Sequence, residues 1–274
     1  MLVISDLAQP GISLARPLSF VPTMGALHQG HAALISRALE LSDSVVVSDF
    51  VNPLQFNDEA DLAKYPRTPE KDIEVAAAAG ATQMWFPRLA EIFPQDEEIE
   101  RITPGPVGEL YEGASRKGHF SGVLTIVNRL FSLLEPTWAL FGEKDFQQLF
   151  LVRQMVAAHN LPISIIGVPT VRDLDGLALS SRNVRLSPQD RASALVISRA
   201  LIAAAAQSDC ENMVEVLRST LATKPGFVLD YAVIIDEDTF APAVPSTARK
   251  RGLVAGWVNG VRLLDNMPMS VAAI

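Results

Sequence analysis

The chain has 274 residues, 49% of them hydrophobic and 20% charged, with a formal net charge of −8. That length supports one large or two moderate domains with a sizeable core, whereas the acidic balance argues against nucleic acid as a partner. No run reaches the ~20 apolar residues that a membrane span needs, no basic-then-apolar leader opens the sequence, and the single cysteine, Cys210, fits a reducing compartment.

In chain order, the apolar run Leu18–Val21 predicts a strand, followed by a Pro/Gly turn and a helix over His31–Leu41 with Leu34, Ile35, Ala38 and Leu39 at helix spacing. Ser44–Val51 predicts a second strand, Asp72–Ala79 a helix, Gln83–Phe86 a short strand and Gly122–Leu134 a helix. Thr137–Phe141, Phe146–Ala158 and Ile163–Val168 continue the alternation as strand, helix and strand. Such alternation with β-branched runs predicts an α/β fold, a Rossmann-like parallel sheet, over residues 1–168. Ligands of such sheets bind at the C-terminal ends of strands.

The pattern changes after Pro169. Asp173-Leu174-Asp175-Gly176 predicts a hairpin turn, and Ser187-Pro188 opens a helix with serine as N-cap and proline at its first position. A helix near Asn212–Ala222 and strands at Leu229–Ile235, Leu253–Val258 and Val261–Leu264 complete a smaller C-terminal α+β domain over residues 169–274.

Several segments carry chemistry. Val21-Pro22-Thr23-Met24-Gly25-Ala26-Leu27-His28-Gln29-Gly30-His31 joins a strand to a helix N-terminus, where free amides and the helix dipole favour phosphate. His28 and His31, three residues apart, project from one face of the first turn. A histidine there can hydrogen-bond a phosphate and bear charge near neutral pH. H-x-G-H serves both acid activation and nucleotidyl transfer.

Gln55, in the run Phe50–Phe56, offers a donor and an acceptor beyond a strand end. The polar stretch from Asn57 to Asp72, with Tyr65-Pro66-Arg67-Thr68-Pro69, resembles a flap. Asp72 either binds Mg²⁺ or complements a helix dipole. Ser115–Gly122 gathers Arg116, Lys117 and His119 in a basic loop. Phe141–Gln148 ends a strand at Gly142 and places Lys144 to reach phosphate, while Asp145 and Gln148 have capping-box spacing. Val171-Arg172-Asp173 and Leu179-Ser180-Ser181-Arg182-Asn183 flank the hairpin with hydroxyls and a guanidinium suited to a phosphate clamp.

These motifs, collinear from Val21 to Asn183, together resemble the pantothenate synthetase (pantoate–β-alanine ligase) family, within the H-x-G-H nucleotidyltransferase-like superfamily. The resemblance implies a cytoplasmic homodimer that uses ATP and Mg²⁺ to join pantoate to β-alanine, with a small C-terminal domain closing over the site as a lid. It implies that Met24, Gly25, Ala26, Leu27, His28, Gln29, Gly30 and His31 hold ATP, with His31 catalytic and His28 beside it on the phosphates. Gly142, Glu143, Lys144, Asp145, Val171, Leu179, Ser180, Ser181 and Arg182 fall at its nucleotide contacts, with Lys144 and Arg182 also catalytic. Gln55 and Gln148 fall where the family holds pantoate, Gln55 also where it holds β-alanine, and Asp72 at a position linked with Mg²⁺.

Overall fold

The computed structural model describes residues 1–9, 11–56 and 59–269, without the side chains at 60 and 61. The first two residues of the expected flap, 57 and 58, lie outside the described residues. β-branched and aromatic runs become strands and the intervening amphipathic segments become helices. In chain order these are β1 (Leu2–Ile4), β2 (Leu18–Thr23), α1 (Gln29–Leu39), β3 (Ser44–Asp49), α2 (Glu59–Ala63), α3 (Pro69–Ala78), β4 (Gln83–Trp85), α4 (Leu89–Ile92), α5 (Glu112–Ser115), α6 (His119–Leu134), β5 (Trp138–Gly142), α7 (Phe146–Ala158) and β6 (Ser164–Val168).

The described residues form a parallel sheet in the order β1-β4-β3-β2-β5-β6. From β2 the chain builds outward through β3 and β4 on one side and through β5 and β6 on the other. The order therefore reverses between β2 and β5, and loops leaving those two strands part to open a crevice at their C-terminal ends. Side chains alternate across the sheet. Val21, Val45, Val47, Met84 and Leu140 share a core with Leu34, Ile35 and Ala38 of α1 and Ala76 of α3. On the other face Phe20 and Phe141 meet Phe131 of α6 edge-on, with ring centroids 6.4 and 6.5 Å apart.

The sequence places Pro22 in the turn after the first strand, yet β2 runs on to Thr23. It pairs with β3 through Thr23 but with β5 only at Ser19 and Phe20. The missing proline N–H therefore falls where no β5 neighbour asks for it.

The chain divides into two compact units, Met1–Pro169 and Thr170–Ile274. In the second, α8 (Pro188–Ala194), α9 (Val196–Ala205) and α10 (Cys210–Ala222) precede the antiparallel strands β7 (Phe227–Asp236), β8 (Lys250–Val258) and β9 (Val261–Pro268), in the order β7-β8-β9. Ser187 caps α8 by accepting from Asp190 N, as its Ser-Pro start predicts. Leu201, Leu217, Ile234, Val254 and Leu263 are central to this unit's own core. The expected hairpin at 173–176 is reduced to a tight turn with an isolated Arg172–Ala178 bridge.

Candidate active site

The loop leaving β2 is shaped by two carboxylates beneath it, one buried and one half-buried. Gly25 and Ala26 turn through φ +78° and +51°, and Thr23 Oγ1 accepts from Gly25 N at 3.2 Å while donating to Ser48 O at 2.6 Å. Asp72, on α3, accepts from Ala26 N at 3.0 Å and Leu27 N at 2.6 Å, one amide on each oxygen, and Thr68 Oγ1 lies 3.2 Å from both. Asp49, the last residue of β3, lies against the same turn: a Cβ on Gly25 would fall 2.5 Å from its Oδ1. Burial, then the charge and hydrogen bond of Asp72, push the Asp49 carboxyl up to about 7. Asp49 thus holds a proton up to near neutral pH. Nothing in the local sequence marks Asp49, because its partners Gly25 and Asp72 lie far from it along the chain.

Asp72, expected at a position linked with Mg²⁺, is engaged by the loop instead of standing open. The residue is fully buried, and amides and a hydroxyl already occupy its oxygens. Among the described residues no group of three or more His, Cys, Asp or Glu side chains gathers to hold a metal. Asp72 is a brace for the loop, which also differs from a simple dipole partner of its own helix.

His28 and His31 cap α1 reciprocally. Gly30 N donates to His28 Nδ1 at 3.1 Å, and His28 N donates to His31 Nδ1 at 3.2 Å. Each Nδ1 therefore accepts, so each ring is neutral and carries its proton on Nε2. Burial first, and then the His28 ring, hold the His31 pKa down to about 3. The sequence reading of a histidine charged near neutral pH is corrected accordingly: His31 is neutral, with its proton on Nε2. Gly30 leaves room for the back-folded His28 ring, since a Cβ there would lie 2.8 Å from its Cε1. The two ring centroids are 4.2 Å apart.

Across the crevice β5 ends at Gly142, and a 3₁₀ turn, Glu143–Asp145, leads into α7. Lys144 Nζ stands 3.7 Å from Asp145 Oδ1, and the charges of Asp145 and Lys144 both reach His31. The fold thus brings together two motifs that are distant in sequence. Asp145 caps α7 without a side-chain hydrogen bond, so the expected capping box with Gln148 does not form. Gln148 is half-buried on the first turn of α7. Its neighbour Gln147 is structural, accepting from Glu112 N at 3.1 Å and donating to Val107 O and Leu110 O at 2.8 Å each.

Gln55 lies on the 3₁₀ turn Pro53–Gln55 after β3 and is buried. Its Nε2 lies 2.9 Å from Met24 Sδ, so it adjoins the β2 loop. Asn52 Nδ2 donates to Gln55 Oε1 and Gly122 O, both at 3.1 Å. Arg116, expected in an open anion-binding loop, turns inward with Nη2 3.2 Å from Gln55 O.

Val171, Leu179, Ser180, Ser181 and Arg182 belong to the second unit. Leu179 N donates to Val171 O at 3.0 Å, and Ser180 Oγ accepts from Arg182 N at 3.3 Å to cap the 3₁₀ turn Ser181–Arg185. Arg172 grips Asp265 bidentately at 2.6 and 2.9 Å. The turn is tied to α8 by Arg191, which pairs with Asp173 at 2.6 Å and Asp175 at 2.8 Å.

A parallel sheet with a histidine-capped helix start and a lysine turn flanking its switch point defines an α/β enzyme of the H-x-G-H type. Residues 6–268 match the family model of pantoate-beta-alanine ligase. The chain is 46% identical to the pantothenate synthetase of Acidothermus cellulolyticus, over 98% of this chain and 91% of that protein. A crystal structure of the pantothenate synthetase of Thermus thermophilus superposes with a TM-score of 0.93 at 42% identity, covering 98% of this chain and all of the other. The pantoate-beta-alanine ligase of Francisella tularensis, crystallised with beta-gamma ATP and beta-alanine, superposes with a TM-score of 0.79 at 34% identity, covering 98% of each chain. The chain belongs to the pantoate–β-alanine ligase family.

Proposed function

We propose that the chain condenses pantoate with β-alanine at the expense of ATP, through an enzyme-bound pantoyl adenylate. The pantoate carboxylate attacks the α-phosphorus and pyrophosphate leaves; the β-alanine amine then attacks the activated carbonyl and AMP leaves. A carboxylate is a poor electrophile for an amine, and adenylation supplies the leaving group, so no covalent nucleophile is needed from the protein. The observation that carries the reading is the convergence of His31 and Lys144 at the sheet's switch point in a chain of this family.

In this reading the residues 24–31 and 142–145 hold the nucleotide. Nε2–H of His28 and His31 donates to phosphoryl oxygens and Lys144 adds positive charge as negative charge develops in the transition state. Gln55 and Gln148 hold pantoate, and Gln55 also adjoins β-alanine. The bound ligands of the Francisella relative support ATP and β-alanine as substrates. From the second unit, the family resemblance assigns Val171, Leu179, Ser180, Ser181 and catalytic Arg182 to the nucleotide. ATP enters as its Mg²⁺ complex, the metal arriving on the substrate phosphates with waters in its shell. The family resemblance further supports a cytoplasmic homodimer, which sedimentation would test.

Pyrophosphate–ATP exchange with pantoate present and β-alanine absent tests the central step. Exchange that requires pantoate is expected. No exchange, and no AMP once β-alanine is added, would overturn the ligase reading.

A further inference from the structure

His119 is a buried, ionisable side chain that the reaction above does not use. It opens α6, is 6% exposed, and has both ring nitrogens engaged: Nδ1 lies 2.9 Å from Gln55 O and Nε2 lies 3.0 Å from Arg116 Nη1. A carbonyl only accepts and a guanidinium only donates, so the ring is neutral with its proton on Nδ1. Burial, and then the Arg116 charge, hold its pKa down to about 4, which keeps the ring neutral at neutral pH.

The turn it grips is clamped from other sides as well. Arg116 Nη2 donates to the same Gln55 carbonyl. A Cβ on Gly122 of α6 would lie 2.2 Å from Leu54 O, so the turn is pressed directly onto the helix backbone. Asn52, fixed by its own bonds to Leu54 N and Gly122 O, holds Gln55 Oε1. Gln55 is therefore held at its main-chain oxygen by His119 and Arg116 and at its side-chain oxygen by Asn52, and its Nε2 is the end directed toward Met24.

We infer that His119 is a positioning residue for the pantoate subsite, its Nδ1–H fixing the Gln55 backbone so that the Gln55 carboxamide presents its N–H to a substrate oxygen. This rests on the assignment of Gln55 to pantoate. Binding that depends on a preset donor weakens when the donor must be ordered anew, and loss of one such hydrogen bond corresponds to about tenfold in affinity.

The test uses His119→Ala, His119→Asn and His119→Gln in pantoate-dependent pyrophosphate–ATP exchange. An asparagine amide nitrogen falls near the Nδ1 position and keeps the donor to Gln55; a glutamine reaches the Nε2 position and keeps only the acceptor for Arg116. The pantoate KM is expected to rise about tenfold in the Ala and Gln variants and to return within about threefold of wild type in Asn, with the ATP KM near wild type throughout. In a Gln55→Ala background, His119→Ala is expected to add nothing. An unchanged pantoate KM, equal rises for pantoate and ATP, or full additivity with Gln55→Ala would overturn the proposal. If the Ala variant does not fold, Asn and Gln carry the comparison, and equal behaviour of the two overturns it. Absence of exchange in the wild-type enzyme would remove the pantoate reading itself; normal exchange with an indifferent His119 series would remove the positioning role alone.

Discussion

The two proposed nucleotide-binding segments are built on opposite terms. The loop from Met24 to His31 is set in the sheet's C-terminal edge, with its strained residues at positive φ held by buried Asp72 beside half-buried Asp49 and its helix entry locked by paired histidines. The Val171–Arg185 segment has an isolated bridge, a short 3₁₀ turn and half-exposed Arg191 ion pairs. The first resembles a preorganised electrostatic site, in which donors are aimed before substrate arrives. The second is held by side chains instead: Arg172 on buried Asp265 and Arg191 on Asp173 and Asp175. The contrast teaches that a loop can be fixed through its main-chain amides, as at Ala26 and Leu27, or through ion pairs among its side chains, as around Arg172 and Arg191.

That contrast can be broken at several points. The largest effect is expected from the chemistry itself: His31→Ala or Lys144→Ala should lower kcat by ~10²-fold or more in steady-state assays, and near-normal turnover in both would remove their assigned roles. Asp72→Ala should remove the loop's support, leaving the Ala26 and Leu27 amides unpaired, at a cost of about 2–5 kcal/mol in chemical denaturation. Were Asp72 instead a metal ligand, the variant would keep its stability and raise the Mg²⁺ requirement. Gly25→Ala combines positive φ with a clash against Asp49 and should cost at least about 2 kcal/mol together with a raised ATP KM.

A pH series sharpens the same point. Asp49 has a folded-state pKa raised from 3.8 to about 7, so its contribution to stability is full below pH ~4 and is lost as pH rises through 7. His31 has a folded-state pKa lowered from 6.5 to about 3, so its contribution is lost as pH falls through that window. Asp49→Asn should remove the first dependence, making stability climb more steeply between about pH 4 and 7 in thermal unfolding than in the wild type. The smallest effect is expected at the half-exposed Arg191, where Arg191→Ala should cost no more than about 1 kcal/mol, as exposed ion pairs typically do.

Much of this is legible without the fold. Strands such as Ser44–Asp49 announce themselves because a run of valines buried on both faces has little other use, and α1 by its apolar spacing. β1 escapes notice because three residues, two of them exposed, carry no periodicity. The motif residues of the β2 and β5 loops stand out because glycines, histidines and a lysine at strand ends are unusual company. Asp49 and His119 show what spacing does not reveal. Asp49 reads as the polar end of a strand and His119 as part of a basic loop; only folding sets one against Asp72 and the other against a carbonyl 64 residues away. Asp72 reads as a candidate ligand because an exposed carboxylate and a buried one look alike in sequence.

The reciprocal histidine cap has a consequence for how this enzyme yields to acid. A proton added to His31 Nδ1 turns an acceptor into a donor facing the His28 amide, and one added to His28 Nδ1 does the same to Gly30. Ring protonation and fraying of the first turn of α1 are thus a single event. Acid should unlock the helix start through this cap as His31 takes up its proton near pH 3, and the amide signals of positions 28–31 should broaden there.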